Sequence, residues 1–289
     1  MTRKRATGVG FIAVLLWSLL AVLTVGTAPV PPLLLNALCF TLGGTLGILW
    51  CWQSGSLPTL RSVSWKVYAF GSIGLFGYHA LYFTALRLAP AAEAGLIAYL
   101  WPLLIVLFSG LLPGEQLKKG HLLGALLGFA GAAAIISGGG ARFDPAALPG
   151  YGLAFLCALT WSGYSVLARR LGDAPTSTVA IFCLITAVAS WGMHFALEET
   201  VWPRGTWGWL STIALGLGPV GLAFYVWDIG VKQGDIQMLG TSSYAAPLLS
   251  TVILVLVGYA QPSWILAVAA CLITGGAVLA ARASAANAA

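Results

Sequence analysis

Residues 91–112 read AAEAGLIAYLWPLLIVLFSGLL, twenty-two positions with a single charge, Glu93, and a Trp101-Pro102 pair at their centre. A helix needs roughly 20 apolar residues to cross a hydrocarbon core of about 30 Å. Inside that core every backbone N–H and C=O must find a partner in its own segment, so such a run is a helix. Comparable runs fill the rest of the chain, at roughly 8–26, 31–52, 66–86, 121–138, 150–168, 177–197, 207–227, 236–258 and 263–282. Hydrophobic residues make up 59% of the 289 and charged residues 8%, against about 25% charged in soluble domains. The chain therefore reads as an all-α polytopic membrane protein of ten transmembrane helices, with no soluble domain left over. Arg3-Lys4-Arg5 followed by an apolar run resembles a signal peptide, but the run outlasts the roughly 7–15 residues of such a core.

Basic residues orient the bundle. With the N-terminus inside, the inner loops hold Arg3, Lys4, Arg5, Arg61, Lys66, Lys118, Lys119, Arg169, Arg170, Lys232 and Arg282, and the outer ones Arg87, Arg142 and Arg204. That excess predicts both termini in the cytoplasm. It also accounts for the pI near 9.2: basic loops face anionic lipid, and no nucleic-acid partner is implied. The five cysteines have no metal-ligand spacing and read as small buried hydrophobes. No cofactor and no metal is expected.

The chain resembles itself. Trp17-Ser18 matches Trp161-Ser162, and Tyr99-Leu100-Trp101-Pro102 matches Tyr244-Ala245-Ala246-Pro247, with Arg87 falling on Lys232. The offsets are 144 and 145. A unit of five spans repeated once enters the membrane from opposite sides, because five is odd. This predicts two inverted halves, 1–145 and 146–289.

Ten spans in two fives, the Ala89-Pro90-Ala91-Ala92-Glu93-Ala94 entry to span four, Tyr99-Leu100-Trp101-Pro102 and the Pro113-Gly114-Glu115 exit together resemble the EamA-type branch of the drug/metabolite transporter superfamily. Within it, the abundant aromatics and Leu100-Trp101-Pro102 look most like the YddG-type aromatic amino acid exporters. The second half departs from the pattern, with Tyr259-Ala260 opposite Gly114-Glu115. The resemblance implies a bacterial inner-membrane location, a basket-shaped bundle and export of aromatic amino acids or similar molecules.

The residues point the same way unaided. Tryptophan in membranes gathers at the headgroup levels, as Trp50, Trp52, Trp65, Trp202, Trp207, Trp209 and Trp264 do, whereas Trp17, Trp101 and Trp161 sit mid-span; Trp191 and Trp227 are ambiguous. Mid-membrane aromatics serve either packing or a midplane cavity, which is where transporters of repeated design bind cargo. Tyr78 and Tyr82 share one face of span three with His79 beside them, and an intramembrane histidine is a site candidate. Tyr99 and Trp101 approach the midplane before Pro102. Pro102 and its counterpart Pro247 bend their helices, which membranes tolerate beside protein or a cavity. Tyr225, Ser243 and Tyr244 are candidate second-half contributors. Gly218 and Pro219 would make span eight flexible enough to move; Gly216, Gly218 and Gly221 also spell a dinucleotide motif, but no strand precedes them. His121 and His194, near span ends, are expected to be solvated, and Asp228 to form a surface ion pair with Lys232.

An aromatic-lined cavity suits ring stacking and cation–π contact with an ammonium group. The first span has no carboxylate, so facilitated movement is expected over strong proton coupling. Neither G-x-S-x-G nor H-E-x-x-H occurs, which argues against an intramembrane enzyme. A non-transporting receptor or assembly factor, or an exporter of another small amphiphile, possibly proton-coupled, are the alternatives. The glycines at 120, 124 and 128 let helices approach closely, as scaffold or a dimer surface, so the chain is a monomer or weak homodimer.

Overall fold

The structure, a computed structural model, describes residues 1–138, 144–170 and 174–288, and no strand occurs among them. Arg142, counted above on the outer side, lies outside the described residues. The first half runs through α1 (Arg3–Trp17), α2 (Leu20–Gly26), α3 (Pro32–Gln53), α4 (Leu57–Arg61), α5 (Trp65–Leu88), α6 (Ala91–Ala98), α7 (Trp101–Ser109) and α8 (Lys119–Ser137). The second comprises α9 (Leu148–Arg170), α10 (Thr178–Leu197), α11 (Gly205–Leu217), α12 (Ala223–Gln233), α13 (Ile236–Ser242), α14 (Ala245–Leu256) and α15 (Trp264–Ala288), with a π-helical turn, Gly218–Leu222, between α11 and α12.

Among the described residues nine segments are long and apolar enough to cross a membrane. The tenth expected span is α5, which at 24 residues has the length. Its apolar character is diluted by Tyr68, Tyr78, His79 and Tyr82, the residues that make it of interest.

Three spans are broken, two of them at the duplicated prolines. A proline ring clashes with the carbonyl four residues earlier. For Pro102 that residue is Ala98, the last of α6, and for Pro247 it is Ser243, the C-cap of α13. Each proline thus falls in the first turn of a new helix, where a missing N–H costs little. The α1–α2 break has no proline; Ser18 there turns its hydroxyl onto the Leu15 carbonyl at 2.6 Å.

The tightest pairings each join a helix of the first half to one of the second: α8 with α15, α3 with α10, α5 with α9 and α1 with α12. Glycine permits the approach. A Cβ on Gly124 would sit 2.5 Å from the Gly276 carbonyl, and one on Gly10 would sit 2.8 Å from the Gly230 Cα. Gly120 and Gly124 face α15 and Gly128 faces Tyr244, so this stripe is spent inside the chain and does not form a dimer surface.

Arg3 is bound to Glu115 and Ser284 to His121 at one end of the bundle, called here the terminal end. Several polar groups near span ends depart from expectation. His121 and His194 are fully buried, because neighbouring loops cover them: His121 accepts the Lys118 N–H, and His194 bonds Glu198 and Thr200. Asp228 is 2% exposed, so its 2.9 Å pair with Lys232, supported by the Thr176 hydroxyl, is buried and not superficial.

Candidate functional site

Four tryptophans meet where α1, α7, α9 and α12 converge. Every pairing among Trp17, Trp101, Trp161 and Trp227 has ring centroids between 5.1 and 6.4 Å apart. Most of these contacts are edge-on, the arrangement that the ring quadrupole favours. Trp227 is wholly buried, its indole N–H donating to Ser165 Oγ at 3.0 Å. Trp17 is half-buried and donates to the Pro219 carbonyl at 3.1 Å. That carbonyl belongs to the π-helical turn, so the break in span one is tied to the irregular turn of span eight.

Above this cluster, on the side away from the terminal end, lies a cavity of about 370 Å³. Trp17, Trp101 and Trp161 form its base, and Tyr78, His79, Tyr82 and Tyr99 its walls. Tyr78 and Tyr82, four apart on α5, lie parallel at 6.2 Å. His79 is held by its own helix, with Nδ1 2.7 Å from the Leu75 carbonyl. A carbonyl only accepts, so Nδ1 carries the proton. The ring is further fixed edge-on against Phe40 at 4.9 Å. No carboxylate or basic side chain other than His79 lines the cavity among the described residues.

Seven of the aromatic candidates thus border one space, together with Pro219 and Pro247; Gly218, Pro102, Tyr225, Ser243 and Tyr244 do not border it. Each of the last three has other work. The Tyr225 hydroxyl donates to the Gly43 carbonyl of α3 at 3.0 Å. The Ser243 hydroxyl donates to the Leu239 carbonyl at 2.8 Å, an acceptor that also takes the Ser243 N–H at 3.0 Å at the end of α13. Tyr244 is fully buried, and its hydroxyl accepts the Leu103 N–H at 3.0 Å. That N–H is one of the donors that the α6–α7 break strips of an intrahelical partner. Pro102 is buried against α13, its carbonyl 3.1 Å from where a Cβ on Gly240 would lie.

Sequence reasoning passed over Phe224, which lines the cavity, and the supporting role of Trp227. Phe224 is stacked on Phe40 at 5.5 Å and packs edge-on against Trp17 and Trp161. By the bounds read from the sequence, 207–227, both lie at the end of span eight, so depth gave no signal for either.

The EamA-like transporter family matches the chain twice, over residues 5–137 and 148–282. The aromatic amino acid exporter YddG of Ancylobacter novellus is 54% identical over 283 residues, covering 97% of this chain and 98% of the relative. The aromatic amino acid exporter YddG of Escherichia coli is 26% identical over 96% of this chain and 97% of its own. A crystal structure of a protein 53% identical in sequence superposes with a TM-score of 0.93, over 96% of this chain and 97% of that one.

Proposed function

We propose, from the premise that this chain belongs to the EamA-like transporter family, that it exports aromatic amino acids through the tryptophan-based cavity. It is a membrane transporter and not an enzyme. The observation that carries the choice of cargo is the cavity wall itself, in which three tryptophans, three tyrosines and His79 surround about 370 Å³. That size falls within the roughly 300–1,000 Å³ of small-molecule sites. An aromatic side chain packs edge-on among the indoles, and an ammonium group lies over a ring face. Tyrosine hydroxyls and the first turn of α14, which borders the cavity at Ala246 and Pro247, meet the carboxylate.

Transport proceeds by alternating access between two inverted five-helix repeats, 1–145 and 146–289. The double match of the family supports this division. So does the packing: exchanging each helix for its counterpart turns the α5–α9 pair into the α12–α1 pair and leaves α3–α10 and α8–α15 unchanged. The terminal end is cytoplasmic by its arginine and lysine excess, in the bacterial inner membrane, so the cavity faces outward. With no carboxylate in the lining, movement is facilitated and not strongly proton-coupled.

Uptake of labelled tryptophan, phenylalanine, threonine and a cationic dye into proteoliposomes, with and without a pH gradient, tests this. Saturable, gradient-independent uptake of the aromatic amino acids, lost in Trp101→Ala and weakened in His79→Ala, is expected. Dye transport driven by the gradient, or variants as active as the native chain, would overturn it.

A further inference from the structure

Beneath the tryptophan cluster the terminal end is fastened by one carboxylate. Glu115 follows Gly114, whose φ of +78° lies in the left-handed region that favours glycine, and the turn delivers the side chain into the bundle, where it is 4% exposed. Arg169, at the end of α9, reaches it at 2.6 Å, and Arg3, at the start of α1, at 2.9 Å. Arg3 extends to Asp235 at 3.8 Å, and Arg169 also donates to the carbonyls of Val231 and Gly234. The cluster therefore ties the α7–α8 loop to spans one and six and to the α12–α13 connection, the elements that bring Trp17, Trp101, Trp161 and Trp227 together.

The second half repeats the turn without the charge. Gly258, 144 positions after Gly114, has φ +81°. Its next residue is Tyr259, which is 60% exposed. One end of the bundle is thus clasped by ions and the equivalent turn at the other end is not.

We propose that Glu115 is the gating carboxylate of the terminal end, a positioning residue that keeps the path below the tryptophans closed and must release Arg169 and Arg3 for cargo to enter there. The proposal rests on the transport reading above. The Arg169 contact is the sheltered one, with Arg169 19% and Glu115 4% exposed, whereas half of Arg3 is in solvent and its contribution is screened. In Glu115→Gln the Arg169 guanidinium keeps two backbone carbonyls, so the variant retains partners for its buried cation and folds.

The test uses the full chain with Cys271, the exposed cysteine, replaced by serine, and Ile105→Cys as reporter. Ile105 is fully buried, one turn beyond Trp101 towards Glu115. Labelling by a membrane-impermeant maleimide is followed from the terminal face in inverted vesicles and from the opposite face in right-side-out vesicles. Glu115→Gln is expected to raise the terminal-face rate about tenfold, the population change that about 1.4 kcal/mol of lost closure gives. Arg3→Gln should raise it less, and neither should change the opposite face. An unchanged terminal-face rate, or an equal rise from both faces, overturns the gate. Should Glu115→Gln not assemble, Arg169→Gln, which removes the sheltered partner while Arg3 still pairs with Glu115, decides by the same criterion. Because labelling involves no cargo, a faster rate without aromatic amino acid uptake would retain the gate and discard the cargo.

Discussion

Truncating Trp227 should destabilise the protein more than removing any lipid-facing tryptophan. Its ring touches Trp17, Trp101 and Trp161 with centroids 5.1, 5.8 and 6.3 Å away. Aromatic pairs of this kind are worth about 0.5–1.5 kcal/mol each, and the indole N–H to Ser165 adds about 1 kcal/mol. The sum, about 2.5–5.5 kcal/mol, brackets the roughly 3–5 kcal/mol that buried Trp→Ala substitutions cost. Trp227→Phe keeps a ring in place and loses the hydrogen bond, a cost of about 1–2 kcal/mol. At about 2 °C per kcal/mol for a chain of this length, Trp227→Ala should lower the midpoint of heat inactivation by roughly 6–10 °C and Trp227→Phe by roughly 2–4 °C. The midpoint is read in detergent as the monodisperse fraction on size-exclusion chromatography after heating. Trp264→Ala, at a position 76% exposed, should change it by no more than about 1 °C. The reasoning fails if Trp227→Ala falls no further than Trp264→Ala, or if the alanine and phenylalanine variants fall equally.

Three further outcomes are expected by the same assay. Gly124→Ala drives a Cβ to 2.5 Å from the Gly276 carbonyl and should cost about 1–3 kcal/mol, whereas Gly163→Ala, with nothing within 4 Å, should be neutral or slightly stabilising; equal midpoints would refute the packing argument. Tyr244→Phe leaves the Leu103 N–H without its acceptor at the α6–α7 break and should cost about 1–3 kcal/mol, while Tyr259→Phe at its exposed turn should cost nothing measurable. Glu198 accepts the Leu33 and Leu34 N–H groups at the start of α3 and contacts Arg87 and His194, so Glu198→Gln should lower the midpoint and Glu199→Gln should leave it unchanged.

Nine of the spans and the two proline breaks were legible because hydropathy and the i−4 carbonyl clash are local. The cavity's aromatics were legible by depth: Trp17, Trp101 and Trp161 are mid-span, and Tyr78 and Tyr82 share a face by spacing. Rotation about the helix axis was not. Phe224 lines the cavity and Tyr225, one residue and about 100° on, faces α3, yet α12 is buried on nearly every side, so burial does not distinguish them. Asp228, His121 and His194 were expected in solvent because distance from a span end measures only depth. Thr176, Ser284 and Thr200 lie on other segments or in the loop beyond the helix end, whereas Glu198 is the local i+4 partner of His194. The i,i+4 pairs His194–Glu198 and Asp228–Lys232 are local, but the covering contacts that bury them come from remote segments. The clasp on Glu115 is equally remote, since Arg169 is 54 positions away in the chain.

The four-tryptophan cluster has an optical consequence. Four indoles with centroids no more than 6.4 Å apart, most of them steeply inclined, couple through their strong transition, so the folded protein should carry an exciton couplet in the far-ultraviolet indole band of its circular dichroism that separated tryptophans would not produce. Three of the four border the cavity. On the proposed reading, an aromatic guest resting on them would become a fifth chromophore in the array, and the native protein would report its own occupancy without a label.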